Sequence, residues 1–77
     1  MRKKDIKYIE HRLQEMFPKS KIKLYLYKDE YKTIQYVKLC VDFKNKTLLI
    51  DKKTCSLGFL IDYFREKIIE VLSCGRN

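Results

Sequence analysis

Lysine and tyrosine alternate with apolar residues along two segments of this 77-residue chain. Successive side chains of an extended strand point to opposite sides, so residues two apart share a face. Each segment therefore presents a cationic and aromatic set on one side and an apolar set on the other. The predicted cationic and aromatic face consists of Lys21, Lys23, Tyr25 and Tyr27 from the first segment and Lys32, Ile34, Tyr36 and Lys38 from the second.

These residue types suit a polyanion that carries aromatic bases. Ammonium groups neutralise phosphates, and tyrosine rings stack on exposed bases for about 1–3 kcal/mol per base. Basic and aromatic residues interleaved on a sheet are typical of proteins that bind single-stranded RNA or DNA. We therefore expect nucleic acid as the partner of this face.

Two alternatives remain open for the same residues. Tyrosine and lysine also pair well across antiparallel strands on a solvated face that has no ligand. Tyr25, Ile34, Tyr36 and Leu49 could instead form a homodimer interface or bind another protein, as in an accessory protein of a phage or mobile element, since aromatic residues are enriched at such interfaces. That second function would need no nucleic acid.

Basic residues are in excess over the whole chain and form two further clusters. Eighteen Lys and Arg against ten Asp and Glu give a net charge of +8. Such an excess favours a polyanionic partner, although it also serves solubility alone. The clusters comprise Arg2, Lys3, Lys4 and Lys7 at the N-terminus, and Lys52 and Lys53 just before the second predicted helix.

The sequence gives little support to catalysis, and we expect a protein that is not an enzyme and needs no cofactor or metal. The single histidine, His11, lies on a mostly polar helical face where no nucleophile can be assigned to it. Asp42 and Asp51 are predicted to point outward near Cys40. Ion pairing with neighbouring lysines is favoured there over cation binding.

The spacing of the cysteines and the composition of the N-terminal segment indicate the cellular compartment. Cys40, Cys55 and Cys74 are odd in number, widely spaced and without a paired CxxC motif. The basic residues after Met1 lead into a polar amphipathic segment, which predicts neither a signal peptide nor a membrane span. We expect a cytoplasmic protein with free thiols and no membrane partner.

Two helices and three strands must position these residues. Apolar spacing predicts a helix over 5–17, with Asp5 as its N-cap and Pro18 as its stop. A second helix is predicted over 57–73, between Ser56 as N-cap and Gly75 as C-terminal stop.

The strands are predicted over 21–28, 32–44 and 47–51, with a short turn at Asn45-Lys46. A four-residue loop in the first hairpin would pair Leu24 with Gln35. The turn in the second hairpin would pair Val41 with Ile50 and Phe43 with Leu48, which keeps these apolar residues on one face.

The elements predict one small α+β domain over residues 1–77, a helix, a three-stranded antiparallel meander and a second helix (αβββα), with both helices on one sheet face. Double-stranded-RNA-binding domains share this order, but carry a basic cluster in the first turn of the second helix. Here that turn contains Leu57, Gly58 and Phe59, so element order alone does not assign the family. The predicted core comprises Leu24, Val37, Leu39, Val41, Ile50, Phe64 and Ile68.

Overall fold

The computed structural model describes residues 1–44 and 46–74, except for the side chain of Cys74. The strands form an antiparallel meander in the order β1-β2-β3, and both helices pack on the same face of the sheet. The predicted αβββα arrangement is confirmed. The elements are α1 (Lys3–Met16), β1 (Lys21–Lys28), β2 (Gln35–Asp42), β3 (Thr47–Lys53) and α2 (Leu57–Cys74).

Helix α1 begins two residues earlier than predicted. Its N-cap is Arg2, and Asp5, the predicted N-cap, is the third helical residue. From there Asp5 Oδ2 accepts the Arg2 amide at 3.0 Å, and its charge also favours the positive end of the helix dipole. Pro18 disfavours helical geometry at Phe17, so the helix ends at Met16.

Helix α2 begins as predicted. Ser56 Oγ accepts the Phe59 amide at 3.4 Å, and the Ser56 carbonyl accepts the Leu60 amide at 3.0 Å. Gly75, the predicted stop, lies outside the described residues. Neither described helix combines the length and apolar composition needed to cross a membrane.

The core lies between the helices and the sheet. Phe64 of α2 is completely buried, as are Val37, Leu39 and Val41 of the central strand. Ile50 is the one predicted core residue that is only half-buried, because it lies on an edge strand at the margin of the cluster. The buried set comprises Ile6, Ile9, Leu13, Ile22, Leu24, Val37, Leu39, Val41, Leu60, Phe64 and Ile68.

The first hairpin has a longer loop than the alternation predicted. Leu24 lies opposite Leu39 rather than Gln35, a displacement of four residues. Strand β2 begins only at Gln35, so Lys32 and Ile34 lie in the loop and not on the sheet face where they were predicted. The displacement is even, so the other residues keep their predicted faces.

Asp29 accounts for the longer loop. Its Oδ1 accepts the backbone amides of Thr33 at 2.7 Å and Ile34 at 3.1 Å, and its Oδ2 accepts the Thr33 hydroxyl at 2.9 Å. Its own amide donates to the Ile34 carbonyl at 2.9 Å, while Lys32 adopts a left-handed φ of 58°. Such an Asp-centred loop competes with strand geometry and delays the start of β2.

The second hairpin is displaced by two residues. Val41 lies opposite Leu48, where the prediction placed Ile50. Asp42 pairs with Thr47, so β2 ends two residues before the predicted strand end at 44, and Asn45 of the predicted turn lies outside the described residues. This displacement is also even, so Leu48 and Ile50 still face the helices.

Truncation of Phe64 tests the packing of α2. We expect Phe64→Ala to lower the free energy of unfolding by about 3–5 kcal/mol, because a fully buried ring leaves a cavity. Urea denaturation followed by circular dichroism measures the loss. Tyr31→Ala is the control: Tyr31 is 77% exposed, and its truncation should change stability by less than about 0.5 kcal/mol. Equal stability of the two variants would show that α2 is not docked through Phe64.

Acid should weaken the Asp29 loop. Backbone hydrogen bonds, first from Ile34, hold the pKa of Asp29 below its ordinary value of 3.8, and partial desolvation only opposes this. The stabilisation is therefore present above pH 3.8 and is lost as pH falls through the lowered folded-state pKa. We expect the stability difference between wild type and Asp29→Asn to shrink on acidification below pH 3.8. Carboxyl-detected NMR titration should place the Asp29 midpoint below that value, and a midpoint above it would contradict the loop geometry.

Candidate nucleic-acid interface

The sheet face away from the helices presents four cross-strand rows, each with one residue from β1, β2 and β3. We call these twelve residues the open face. Four are lysines and two are aspartates, so the face is net positive. The rows are Lys21–Asp42–Thr47, Lys23–Cys40–Leu49, Tyr25–Lys38–Asp51 and Tyr27–Tyr36–Lys53.

Tyr25 is the most accessible aromatic residue of this face. Its relative exposure is 51%, against 38% for Tyr27, while Tyr36 is half-buried. Lys23 precedes it by two residues on the same strand, and Lys38 lies directly opposite on β2. The Tyr25 ring is therefore exposed between two cationic side chains.

Tyr27 lies across the central strand. Its ring stacks on Tyr36 with centroids 5.4 Å apart and an interplanar angle of 18°, and the Lys38 amine lies 5.7 Å from its centroid. The Tyr27 hydroxyl donates to Asp51 Oδ1 on β3 at 2.8 Å. Tyr36 therefore covers one face of the Tyr27 ring, and the Lys38 amine also lies over this ring.

The bond to Asp51 keeps the Tyr27 hydroxyl protonated. The hydrogen bond, followed by desolvation and by the charge of Asp51, raises the pKa of Tyr27 above its ordinary value of 10.0. The second carboxylate of the face is also bound to a hydroxyl, since Asp42 Oδ1 accepts Thr47 Oγ1 at 2.9 Å. The ion pairing predicted for Asp42 and Asp51 does not occur among the described residues.

The predicted cluster of Lys52 and Lys53 is divided between the two faces. Strand β3 runs through both residues, so they point to opposite sides. Lys53 joins the open face, opposite Tyr36. Lys52 points to the helix side, where its amine lies 4.8 Å from the centroid of Tyr63 and 5.5 Å from that of Phe59. These cation–π contacts hold Lys52 away from the open face.

The remaining predicted contacts lie apart from the open face. Lys3, Lys4 and Lys7 are exposed on α1, which packs against the other face of the sheet. Lys32 is exposed in the loop after β1. The structure thus brings together Lys21, Lys23, Tyr25, Tyr27, Tyr36, Lys38 and Lys53 from the predicted set, and leaves out Lys3, Lys4, Lys7, Lys32 and Lys52.

Three lysines that were not predicted extend the basic surface beyond the end of the sheet. Lys19, Lys44 and Lys46 surround an open depression together with Lys21, which also belongs to the open face. A meander places the start of β1 and the loop between β2 and β3 at the same end of the sheet, so this grouping could have been inferred from the strand order. The apolar part of the depression is formed by Phe43, Val71 and Leu72.

Cys40, Cys55 and His11 lie on β2, before α2 and on α1, respectively. Cys40 is half-buried on the open face and Cys55 is exposed before α2, and both are free. The side chain of Cys74 lies outside the described residues. His11 is exposed and pairs with Glu15 at 3.3 Å, one helical turn away. No group of three His, Cys, Asp or Glu among the described residues could hold a metal ion.

No protein-family model, curated protein sequence or solved structure matches this chain. Its class follows from the fold and the open face: a small α+β domain with one sheet face covered by helices and the other exposed to solvent.

The pH titration of Tyr27 tests the geometry of the open face. Because its pKa is raised, the stabilisation from the Tyr27–Asp51 bond is present below pH 10.0 and is lost as pH rises through the folded-state pKa. We expect Tyr27 to titrate above pH 10.0 by NMR of the tyrosine rings, and Asp51→Ala to return it towards that value. Asp42→Ala is the control and should leave Tyr27 unchanged. An unperturbed Tyr27 in the wild type would contradict the bond across β2.

Proposed function

We propose that this protein binds single-stranded nucleic acid through the open face. The observation that carries the proposal is Tyr25, an exposed ring between Lys23 and Lys38 on a sheet face that no helix covers. An unpaired base can stack on this ring while the two ammonium groups contact neighbouring phosphates. Stacking needs bases that are not already paired in a duplex, which favours single strands.

A second aromatic position lies beside the first. Tyr27 follows Tyr25 by two residues, about 6.8 Å along the strand. Its ring stacks on Tyr36, and its hydroxyl donates a hydrogen bond to Asp51. When Lys38 moves from this ring to a phosphate, the ring face away from Tyr36 can receive a second base. Fixed rings favour binding because little side-chain freedom remains to be lost.

Further lysines lie between this aromatic region and the end of the sheet, with the Asp42 carboxylate beside them. Lys23 and Lys21 lead along β1 to the depression, where Lys19, Lys44 and Lys46 continue the positive surface. Each phosphate contact on a single strand contributes about −0.7 to the slope of log affinity against log salt. Binding should therefore weaken steeply with ionic strength.

The alternative function is a protein-interaction or homodimerisation module without a nucleic-acid role. Leu49 favours it, because this apolar residue is 61% exposed on the open face. Ile34, which was expected to contribute, lies half-buried in the loop after β1 and does not belong to the face. Either function is one of binding and not of catalysis, and either suits a reducing cytoplasm in which Cys40 and Cys55 remain free.

Point variants of the open face test nucleic-acid binding. We expect Tyr25→Ala to weaken binding to labelled single strands of about 12 nucleotides by about 1–3 kcal/mol, through lost stacking. Lys23→Gln should weaken binding to all sequences and reduce the salt slope on single strands by about 0.7. Fluorescence anisotropy with single- and double-stranded DNA and RNA, at about 50 and 200 mM salt, measures both effects.

Matched controls come from helix α1. Tyr8 is 50% exposed, almost the same as Tyr25, but it lies beside Leu57 and Ile61 on the helix side of the domain. Tyr8→Ala and the charge-matched Arg12→Gln should therefore leave affinity nearly unchanged. Absence of binding to all four nucleic acids at low salt would refute the proposal, and so would equal effects of Tyr25→Ala and Tyr8→Ala.

A further inference from the structure

The two edge strands of the sheet differ in how their outward backbone groups are satisfied. On the outer edge of β1, Gln14 Oε1 accepts the Ile22 amide at 3.2 Å and Glu10 Oε2 accepts the Leu24 amide at 2.9 Å. Two side chains of α1 thus occupy hydrogen-bonding positions that another strand would need. The β1 edge is therefore closed to strand addition in its first half.

Among the described residues, no side chain caps the β3 edge in this way. Thr54 donates to the Gln35 carbonyl and Phe43 donates to the Lys46 carbonyl, so the even-numbered residues of β3 face β2. The backbone groups of the odd-numbered residues Thr47, Leu49, Asp51 and Lys53 consequently point away from the sheet. No hydrogen bond within the described part of the chain reaches the outward amides of Leu49, Asp51 or Lys53.

This edge carries an apolar run at its centre. Leu48, Leu49 and Ile50 are consecutive, with Leu49 61% exposed on the open face and the other two half-buried on the helix side. Thr47 and Asp51 bound the run. Edge strands usually avoid such a run, because it invites pairing with another strand.

We propose that two copies of this chain associate through antiparallel pairing of their β3 strands about a twofold axis at Leu49. Leu49 then lies opposite Leu49 of the second copy, Leu48 opposite Ile50, and Thr47 opposite Asp51. Apolar side chains meet apolar side chains on both sides of the extended sheet. The edge is thus complementary to itself, as an isologous contact requires.

The same residues select one register. Backbone bonding requires the odd-numbered residues to face each other, so the pairing can shift only in steps of two residues. One such shift places Leu48 opposite Lys52, and the opposite shift places Ile50 opposite Lys46. Only the pairing centred on Leu49 matches the apolar run with itself. Lys46 and Lys52 then meet at the two ends, where their repulsion limits the overlap to residues 47–51.

The resulting dimer contains one continuous six-stranded sheet, three strands from each copy. Tyr25 and Tyr36 lie on β1 and β2, away from the twofold axis, and remain uncovered. The dimer would form whether or not the open face binds nucleic acid. If the open face does bind nucleic acid, the open faces of the two copies adjoin and offer a longer surface to one nucleic-acid strand.

Two lysine substitutions on β3 test this pairing. Leu49→Lys places two ammonium groups opposite each other in the dimer, and should raise its dissociation constant at least about tenfold. Thr47→Lys adds the same charge to the same strand but places it opposite Asp51 of the second copy, so dimerisation should persist. Light scattering and sedimentation velocity on the full chain, free of nucleic acid and at concentrations up to about 100 µM, measure the mass.

Circular dichroism of both variants checks that the monomer fold is intact. We expect it to be intact in Leu49→Lys, because the Leu49 side chain is exposed and does not belong to the core. Added salt should not dissociate the dimer, because it screens the repulsion between Lys46 and Lys52. A wild-type monomer at about 100 µM would overturn the proposal. A Leu49→Lys protein that still dimerises would do the same, and so would equal dissociation of the two variants.

Discussion

Burial of the central strand beneath Phe64 is the interaction on which the rest of the structure depends. Val37, Leu39 and Val41 have no exposed surface, and each fully buried side chain of this kind contributes about 1.5–3 kcal/mol. A domain of this size buries only about 60% of the surface of its unfolded chain. Its two helices cover one sheet face and leave none to cover the other.

The side chains of the open face are not covered by a helix, so contacts among themselves must order them. Tyr27 contributes to this order by crossing β2, stacking on Tyr36 and bonding to Asp51. The bond links β1 to β3, which are not neighbours in the sheet. Tyr25 takes no part in these contacts and keeps its ring accessible. Tyr27 and Tyr36 thus stabilise the face, while the Tyr25 ring remains exposed.

The position of α1 explains why the sheet is asymmetric at its edges. Packing of Ile6, Ile9 and Leu13 against β1 brings Glu10 and Gln14 within reach of the backbone of that strand. No helix places equivalent acceptors along β3 in the described part of the chain. The proposed binding on the open face would use exposed rings and lysines, whereas the proposed pairing at the β3 edge would use outward backbone groups and the apolar run that includes Leu49.

Apolar spacing in the sequence predicted the order of elements, the faces of the residues that lie within the strands, and six of the eleven residues that form the core. Alternation has a period of two, so every even error in register left Lys23, Tyr25 and Val37 on their predicted faces. It could not determine the registers themselves, because a loop lengthened by two or four residues preserves the same pattern. Asp29 decided one register through hydrogen bonds to Thr33 and Ile34 that form only when the loop closes.

Tertiary structure alone decided which predicted contacts come together. Lys52 and Lys53 are adjacent in sequence, yet extension of β3 placed them on opposite faces and held Lys52 over Tyr63. Lys3, Lys4 and Lys7 lie on the helix side of the sheet, because burial of the apolar stripe of α1 places the whole helix there. Local charge patterns carry no information on such placement, which depends on which surfaces the core brings into contact.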